Sequence, residues 1–550
     1  MVPLMVICSM DWHDLKNTTR SLQGIAAGKM KLVTITKFTL LTLAVTSLTN
    51  AANILVTVLV PEKSSHSISM SAITEALSRR GHNVTILTCS FVGTEGFPMD
   101  TYNTAIQFHF DVPSDYEAAL DTMIEDFFQK DLLSNMIDIG KLYSWMRLRC
   151  QSLFEDSAAL YRLNESHFDI LIGDVTDGCD AILSSYLGIP HIAVTTTTRY
   201  FLFHERLYGI PAPSSYVQYS LPLSDQMTFL ERVASFMDHN LVSRFLEWVH
   251  FGALDEIKDA HGIAPGRSTQ ELVGDAELWM CMTSFAFDFP HPTAPNWVAI
   301  GNTVGVPARP LDKKYEEFIE GSGEHGFIIF SLGSYFTRVP LRMAEVFARV
   351  FSELPQRVIW RYIGPRPRYL GNNTLIVDWI PQNDLLGHPK ARLMIYHGGL
   401  RGILEAIYHA VPLVVMPVIF DQNSNAVKVK TKGFGRILHR FSVTDENVRE
   451  AIMDVLVNQS YRDNVIKYSR IYKDTQADPE ETIVYWVEHI LKHGGSHLRS
   501  GALQLNFIQL NSIDVLAFIC TILLVTIFVI YSCCIRCRSR CLQSRKSKLE

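Results

Sequence analysis

Two series of strand, turn and helix, one in each half of the 550-residue chain, constrain the fold more than any other feature. Asn53–Val60 is an apolar run rich in β-branched residues, the composition of a strand covered on both faces. A Ser-rich loop follows, then Ile68–Arg80 at helical spacing, Gly81 as a stop, and a second strand at Val84–Leu87. That is a βαβ unit, and its crossover is expected to be right-handed. Phe168–Ile172, a helix over Ala181–Leu187, Gly188 and the strand His191–Val194 repeat the pattern. Beyond the Pro- and Gly-rich stretch Gly301–Pro310 it begins again. The strand Phe327–Ser331 and a helix from Pro340 to Leu354 lead to strands Val358–Arg361, Thr374–Val377 and Leu393–Ile395. A helix Ile403–His409 and a strand Leu413–Met416 complete the series. Such alternation predicts an α/β protein with two doubly wound, Rossmann-like domains facing one another across a crevice. We assign residues 52–300 to the first domain, 301–322 to a linker and 323–500 to the second. Aromatic-rich helices over Asp115–Leu163 and Asp225–His261 are expected to be core or to line an apolar cavity.

The ends of the chain carry its address. From Met30, Lys31 and Lys37 precede the apolar run Phe38–Leu48 and the small residues Ala51 and Ala52. This is the layout of a secretory signal peptide over residues 30–51; residues 1–29 read as an over-extended start. Residues 501–514 form a juxtamembrane segment. Val515–Ile535 then holds no charge and is long enough to cross a bilayer as a helix. Arg536, Arg538, Arg540, Arg545, Lys546 and Lys548 follow it. Positive charge gathers on the cytoplasmic side, so residues 536–550 are expected to be a cytoplasmic tail. The bulk of the chain is then lumenal or extracellular. There Cys89, Cys150, Cys179 and Cys281 allow one or two disulfides, and Asn164, Asn372 and Asn458 head glycosylation sequons. Cys534 and Cys537 have CxxC spacing with no second ligand pair following, which speaks against zinc; membrane-edge cysteines suit palmitoylation better. A formal net charge of −6 gives no reason to expect a nucleic-acid partner.

In open parallel sheets the ligand crevice lies beyond the carboxyl ends of the strands. His66 follows the first strand and Asp174 follows Phe168–Ile172. A carboxylate on one imidazole nitrogen makes the other a better base, although sequence distance alone does not prove contact. In the second half, His397-Gly398-Gly399 forms a strand-to-helix turn ahead of a helix N-terminus, a ready site for phosphate. Gly402 leaves that approach open, and Ser334 after the Gly333 turn offers a hydroxyl. Trp379 could stack on a base and Glu405 could reach a ribose. Asp421 and Gln422 suit sugar hydroxyls. No Walker A sequence is present and the spacing is not GxGxxG. Together these residues describe a pocket for a nucleotide sugar.

The same residues carry a resemblance. Trp379-Ile380-Pro381-Gln382, His397-Gly398-Gly399, Glu405-Ala406-Ile407-Tyr408-His409 and Asp421-Gln422 resemble the donor-binding motif of the UDP-glycosyltransferases, the family of the UDP-glucuronosyltransferases. Phe330-Ser331-Leu332-Gly333-Ser334, Ser65-His66 with Met70, Arg80-Gly81-His82 and His497-Leu498-Arg499 match as well. The resemblance implies a GT-B fold, a UDP-sugar as donor substrate, no bound cofactor or metal, and inverting transfer to a small lipophilic acceptor. It casts His66 as base, assisted by Asp174. Trp379 and Gln382 would hold uracil, and Glu405 the ribose. Ser334, His397 and the helix N-terminus at Gly399 and Gly402 would hold the diphosphate, and Asp421 and Gln422 the sugar. It also implies an endoplasmic-reticulum membrane protein of type I, with a dibasic retrieval signal in Lys546-Ser547-Lys548-Leu549-Glu550, and allows oligomers with itself or with relatives. Two positions depart from the family pattern. Arg401 stands where Asn is usual, and Tyr396 replaces a small hydroxyl residue. Arg401 is left between a contact to phosphate or to a sugar carboxylate and no role at all. The alternatives kept beside the hexosyltransferase are a lipid galactosyltransferase of the ceramide type and a non-catalytic UDP-sugar-binding subunit.

Overall fold

The computed structural model describes residues 51–546 except 59–64, 91–104, 110–115, 131–135, 176–177, 197–206, 208, 211–212, 216–220, 335, 337 and 476–477. The expected signal sequence apart from its last residue, everything before it, and residues 547–550 of the proposed retrieval signal lie outside this set.

Each half is built on one sheet. In the N-terminal half the strands are β1 (Asn53–Val58), β2 (Asn83–Ser90), β3 (Ala105–His109), β4 (Ile170–Asp174), β5 (His191–Thr195), β6 (Leu278–Cys281) and β7 (Trp297–Ala299). They lie in the order β3-β2-β1-β4-β5-β6-β7, and β1 runs parallel to β4 with Ile54 opposite Ile170. The C-terminal half has β8 (Phe327–Ser331), β9 (Arg357–Arg361), β10 (Thr374–Val377), β11 (Ala391–Tyr396), β12 (Leu413–Val415) and β13 (Gly435–Ile437). Their order is β10-β9-β8-β11-β12-β13, again parallel, with Tyr396 opposite Ser331. In both sheets the order reverses beside the first strand, between β1 and β4 and between β8 and β11. Those switch points are where an open parallel sheet binds ligand.

The buried strands are near-continuous apolar runs because helices cover both faces. Ile328, Phe330 and Trp360 meet Phe347 and Phe351 of the helix Leu341–Ser352. The Phe330 and Trp360 rings stack at 5.2 Å. The helix Tyr116–Gln129 crosses from the N-terminal half to this core, where Phe128 packs edge-on against Phe336 at 5.7 Å. The helix Pro479–His493 crosses back, with Arg80 paired to Glu488 at 2.9 Å and Arg79 to Glu480 at 2.7 Å. Cys150 and Cys179 form a disulfide that closes a separation of 29 residues, as an oxidising compartment permits. The three sequon asparagines, Asn164, Asn372 and Asn458, are exposed.

Asp225–His261 departs from expectation. It contains a helix Phe229–Met237, a π-helical turn Asp238–Val242 and a helix Ser243–Ala260 in direct succession. Phe251, Leu254 and Ile257 are core, whereas Phe236, Phe245 and Trp248 point to the outside, neither core nor cavity lining. The final helix, Ile513–Lys546, includes Ile513–Arg540, which is long and apolar enough to cross a membrane.

One buried ion pair joins the halves. Lys428, on the helix Gln422–Thr431, lies 2.8 Å from Asp288 beyond β6, and both side chains are buried. Removing one member of a buried pair costs about 3–5 kcal/mol. Lys428→Met is therefore expected to lower the unfolding free energy by about that amount, read by denaturant titration. Asp288→Asn added to it should recover most of the loss. A single variant as stable as the parent would show that the pair holds nothing.

Candidate active site

Three neighbouring strands deliver the first cluster. His66 is the second residue of the helix Ser65–Arg80, Asp174 is the last residue of β4, and Thr196 follows β5. Asp174 Oδ2 lies 2.6 Å from His66 Nδ1. Thr196 Oγ1 lies 2.6 Å from the same nitrogen and 3.2 Å from Nε2. Asp174 is buried and the His66 side chain is 21% exposed. Gly173 lacks a side chain because the Asp180 carboxylate occupies that space, 2.3 Å from where a Cβ would stand. Burial works against a charged His66. The charge and hydrogen bond of Asp174, with the charge of Asp421, outweigh it and raise the imidazole above its ordinary range. Sequence reasoning joined His66 and Asp174 and missed Thr196. The carboxyl-end rule that selected Asp174 at β4 selects Thr196 at β5 equally well.

Asp421 acts on His66 from the C-terminal half. It caps the N-terminal end of the helix Gln422–Thr431, where Asn425 Nδ2 donates to its Oδ2 at 2.7 Å and to the Gly398 carbonyl at 3.0 Å. Burial pushes the Asp421 carboxyl up to about 6, against the pull of Asn425, Lys428 and His66. Phe420 just before it holds φ +52°, a left-handed conformation that costs a non-glycine residue about 1–3 kcal/mol. Gln422 is largely committed to the backbone, since its Oε1 accepts from Val418 N–H at 2.9 Å and Ile419 N–H at 3.1 Å. Its amide nitrogen is thus the group suited to a sugar hydroxyl, and Asn425 is a polar residue the sequence reading did not single out.

A cleft of about 300 Å³ opens at the β8/β11 switch point. Ser334, Trp379, Gln382, Arg401, Gly402 and Glu405 line it, and Ile68 reaches it from the helix that carries His66. Trp379 is 46% exposed rather than buried core. The Arg361 guanidinium lies 4.9 Å from its ring centroid, with Nε donating to the Asp378 carbonyl at 3.0 Å and Nη1 to that of Gly333. Arg361 thus ties the Gly333 turn to the Trp379 loop, a link with no signal in the sequence. Glu405 is already engaged on both oxygens. Gln382 Nε2 donates to Oε2 at 2.7 Å and Arg401 Nε lies 3.2 Å from Oε1. Arg401 therefore sits in the cleft, paired to Glu405, and is not a solvent-facing residue.

The glycines at the turn have a different reason from the one expected. Gly399 caps the helix Leu400–Tyr408 without a side-chain contact. A Cβ at Gly399 would stand 2.7 Å from His397 Nε2, and one at Gly402 would stand 2.3 Å from Tyr396 Cζ. Gly402 does not leave the approach empty; the Tyr396 ring fills it. The Tyr396 hydroxyl lies against Gly402, 2.5 Å from where a Cβ would stand. Burial and then the Glu405 charge raise the phenol, which keeps its proton. Burial and the Arg361 charge push His397 down to about 3, so it is a neutral imidazole. Its Nδ1 is buried and carries no hydrogen bond among the described residues. No group of His, Cys, Asp and Glu among the described residues is arranged to hold a metal ion.

The family profile described as UDP-glucoronosyl and UDP-glucosyl transferase matches residues 54–548. The chain is 34% identical to rat UDP-glucuronosyltransferase 1-2 over 504 residues, covering 89% of this chain and 93% of the relative. It is 33% identical to human UDP-glucuronosyltransferase 2B15 over 502 residues, covering 89% and 94%. Among solved structures, Os79 of O. sativa, crystallised with U2F and a trichothecene, superposes with a TM-score of 0.57 at 16% identity over 79% of this chain and 99% of that one. The glycosyltransferase VinC, in complex with dTDP, gives 0.53 at 17% identity over 80% and 100%. The two parallel sheets are thus those of a GT-B glycosyltransferase. With a match over nearly its whole length, this chain belongs to the UDP-glucuronosyl and UDP-glucosyl transferase family, membrane-anchored hexosyltransferases that draw on a UDP-sugar donor and no metal cofactor.

Proposed function

We propose that the chain transfers a hexose, glucuronate or glucose, from a UDP-sugar to the hydroxyl of a small lipophilic acceptor, with inversion at the anomeric carbon. The observation that carries this reading is the 2.6 Å contact of His66 with Asp174, at the switch point and within the field of Asp421. With Nδ1 donating to Asp174, His66 Nε2 takes the acceptor's proton, and Asp174 stabilises the imidazolium that forms. The acceptor oxygen attacks the anomeric carbon, the bond from that carbon to the β-phosphate oxygen breaks, and UDP leaves with the bonding pair. Thr196 steadies the imidazole through its hydroxyl.

The donor lies in the cleft, with uracil against Trp379 and Gln382 and the ribose at Glu405. The diphosphate meets Ser334, neutral His397 and the first turn of the helix that Gly399 caps. Donors fixed before the reaction stabilise the charge that grows on the leaving group. The Tyr396 O–H, which keeps its proton, adds one more hydrogen-bond donor to the phosphate. Arg401, held by Glu405, presents a guanidinium suited to phosphate or to a glucuronate carboxylate. Asp421 and Gln422 hold the sugar. The Cys150–Cys179 disulfide, the exposed sequons and the basic residues in the last turns of the final helix support an orientation with the two halves in the endoplasmic-reticulum lumen.

Tyr396 also favours a second reading, a UDP-sugar-binding subunit without turnover, because its ring fills the space over Gly402. The readings part on one residue. For an enzyme, Tyr396→Phe loses a single hydrogen bond and raises the donor KM by about 2- to 10-fold, with kcat little changed. For a silent subunit, Tyr396→Ser creates turnover where the parent has none.

His66→Ala is expected to cut kcat by about 10²–10⁴-fold while UDP still binds, as titration calorimetry would read. Unchanged turnover would remove His66 from the mechanism. The base must be neutral to act and its pKa is raised, so activity is lost as pH falls through a point above the ordinary imidazole value. Asp174→Asn should move this acid limb of the kcat/KM profile to lower pH and reduce kcat. A limb that stays in place would mean that Asp174 does not act through His66.

A further inference from the structure

Arg401 is the second residue of the helix Leu400–Tyr408, and Glu405 stands one turn further along it. Arg401 Nε lies 3.2 Å from Glu405 Oε1, with the two side chains 23% and 6% exposed. The other carboxylate oxygen takes a hydrogen bond of 2.7 Å from Gln382 Nε2, at the start of the neighbouring helix Gln382–Leu386. Both Arg401 and Glu405 line the cleft. The two contacts on the carboxylate differ in kind. Gln382 fixes Oε2 from a separate element of the fold. Arg401 holds Oε1 through Nε, which carries one of the five N–H donors of a guanidinium; the other four lie on its terminal nitrogens.

The position of Arg401 is a conflict that the carboxylate relieves. A cation in the first turn of a helix opposes the helix dipole, and Arg361 brings a second guanidinium to the same cleft. Glu405 offsets this with one negative charge. A diphosphate at that helix N-terminus carries more charge than a carboxylate, and its oxygens match the guanidinium fork. It therefore competes with Glu405 for Arg401. If it wins, Oε1 is released as an acceptor while Gln382 still holds Oε2, so the carboxylate stays in place. A ribose hydroxyl that reaches Glu405 without phosphates attached has to contend with Arg401 for the same oxygen.

We propose that Arg401 couples the two parts of the donor nucleotide: its guanidinium passes from Glu405 to the diphosphate, and the freed Glu405 oxygen then accepts from the ribose. The coupling rests on the reading of the cleft given above, with the ribose at Glu405 and the diphosphate at the helix N-terminus. It makes Arg401 a specificity-determining residue. The chain then selects a nucleoside diphosphate over the bare nucleoside by more than the phosphate contacts alone, because the phosphates also open the ribose site. Such coupling is a free energy shared by two sites and acts in both directions.

The test is titration calorimetry of the full chain in detergent micelles with uridine, inorganic pyrophosphate and UDP, all at one ionic strength. Arg401→Met keeps an unbranched stem and removes the charge. It is expected to tighten uridine by about 5-fold, since Glu405 is no longer held, and to weaken UDP by about 10-fold or more. Glu405→Gln keeps the size of the side chain and an acceptor for Gln382. It is expected to tighten pyrophosphate by about 5-fold, because Arg401 is released, and to weaken uridine. A general loss of structure would weaken every ligand, so changes of opposite sign report the coupling itself. Uridine and UDP weakened alike by Arg401→Met, in protein that melts at the parent's temperature, would overturn the proposal. So would pyrophosphate affinity left unchanged by Glu405→Gln. A parent that binds no UDP would instead overturn the reading of the cleft, and the coupling with it.

Discussion

The contact between His66 and Asp174 exists only because β1 and β4 lie side by side although the chain between them is long. The sheet order reverses at that point, so two strands remote in sequence end together and aim their next residues into one gap. The second sheet repeats the arrangement at β8 and β11, bringing Gly333 beneath His397. The rest of the structure serves to hold these two junctions opposite each other. The helix Tyr116–Gln129 reaches into one core, the helix Pro479–His493 returns to the other, and Lys428 pairs with Asp288 between them. Asp421 is the clearest product: a residue of one half whose charge is felt by the imidazole of the other.

The electrostatics divide by side. On the N-terminal side a carboxylate beside the imidazole makes it a stronger base than burial alone would leave. On the C-terminal side His397 is neutral and Tyr396 keeps its proton, so under the proposed function the leaving group would meet donors that do not change charge as it departs. Neutral, fixed dipoles cost no reorganisation during reaction. The positive charges there, Arg361 and Arg401, are both already engaged, one with carbonyls and one with Glu405.

Much of this was legible in the sequence because strand ends are legible. β-branched apolar runs mark strands, and the positions just beyond parallel strands are the ones that face a crevice; His66, Asp174, Ser334 and His397 follow β1, close β4, follow β8 and follow β11 respectively. Side-chain packing was harder to read. The reason for Gly402 is the Tyr396 ring, visible only once the turn is folded. Arg361 links two loops from the end of a strand that reads simply as core. The outward face of Phe229–Val249 was also misjudged, since aromatic residues at helical spacing look identical whether they face the core or the outside. Their polar neighbours Asp238 and Glu247 hold the clue, and only burial tells which face is inside.

The most direct test of the central claim is UDP release from microsomes that carry the full chain. Each of UDP-glucuronate, UDP-glucose, UDP-galactose and UDP-N-acetylglucosamine would be offered with a pool of phenols, flavonoids, steroids and ceramide. The account predicts release that requires glucuronate or glucose as donor together with a small lipophilic acceptor. Silence with every donor, from protein shown to bind UDP, would contradict it.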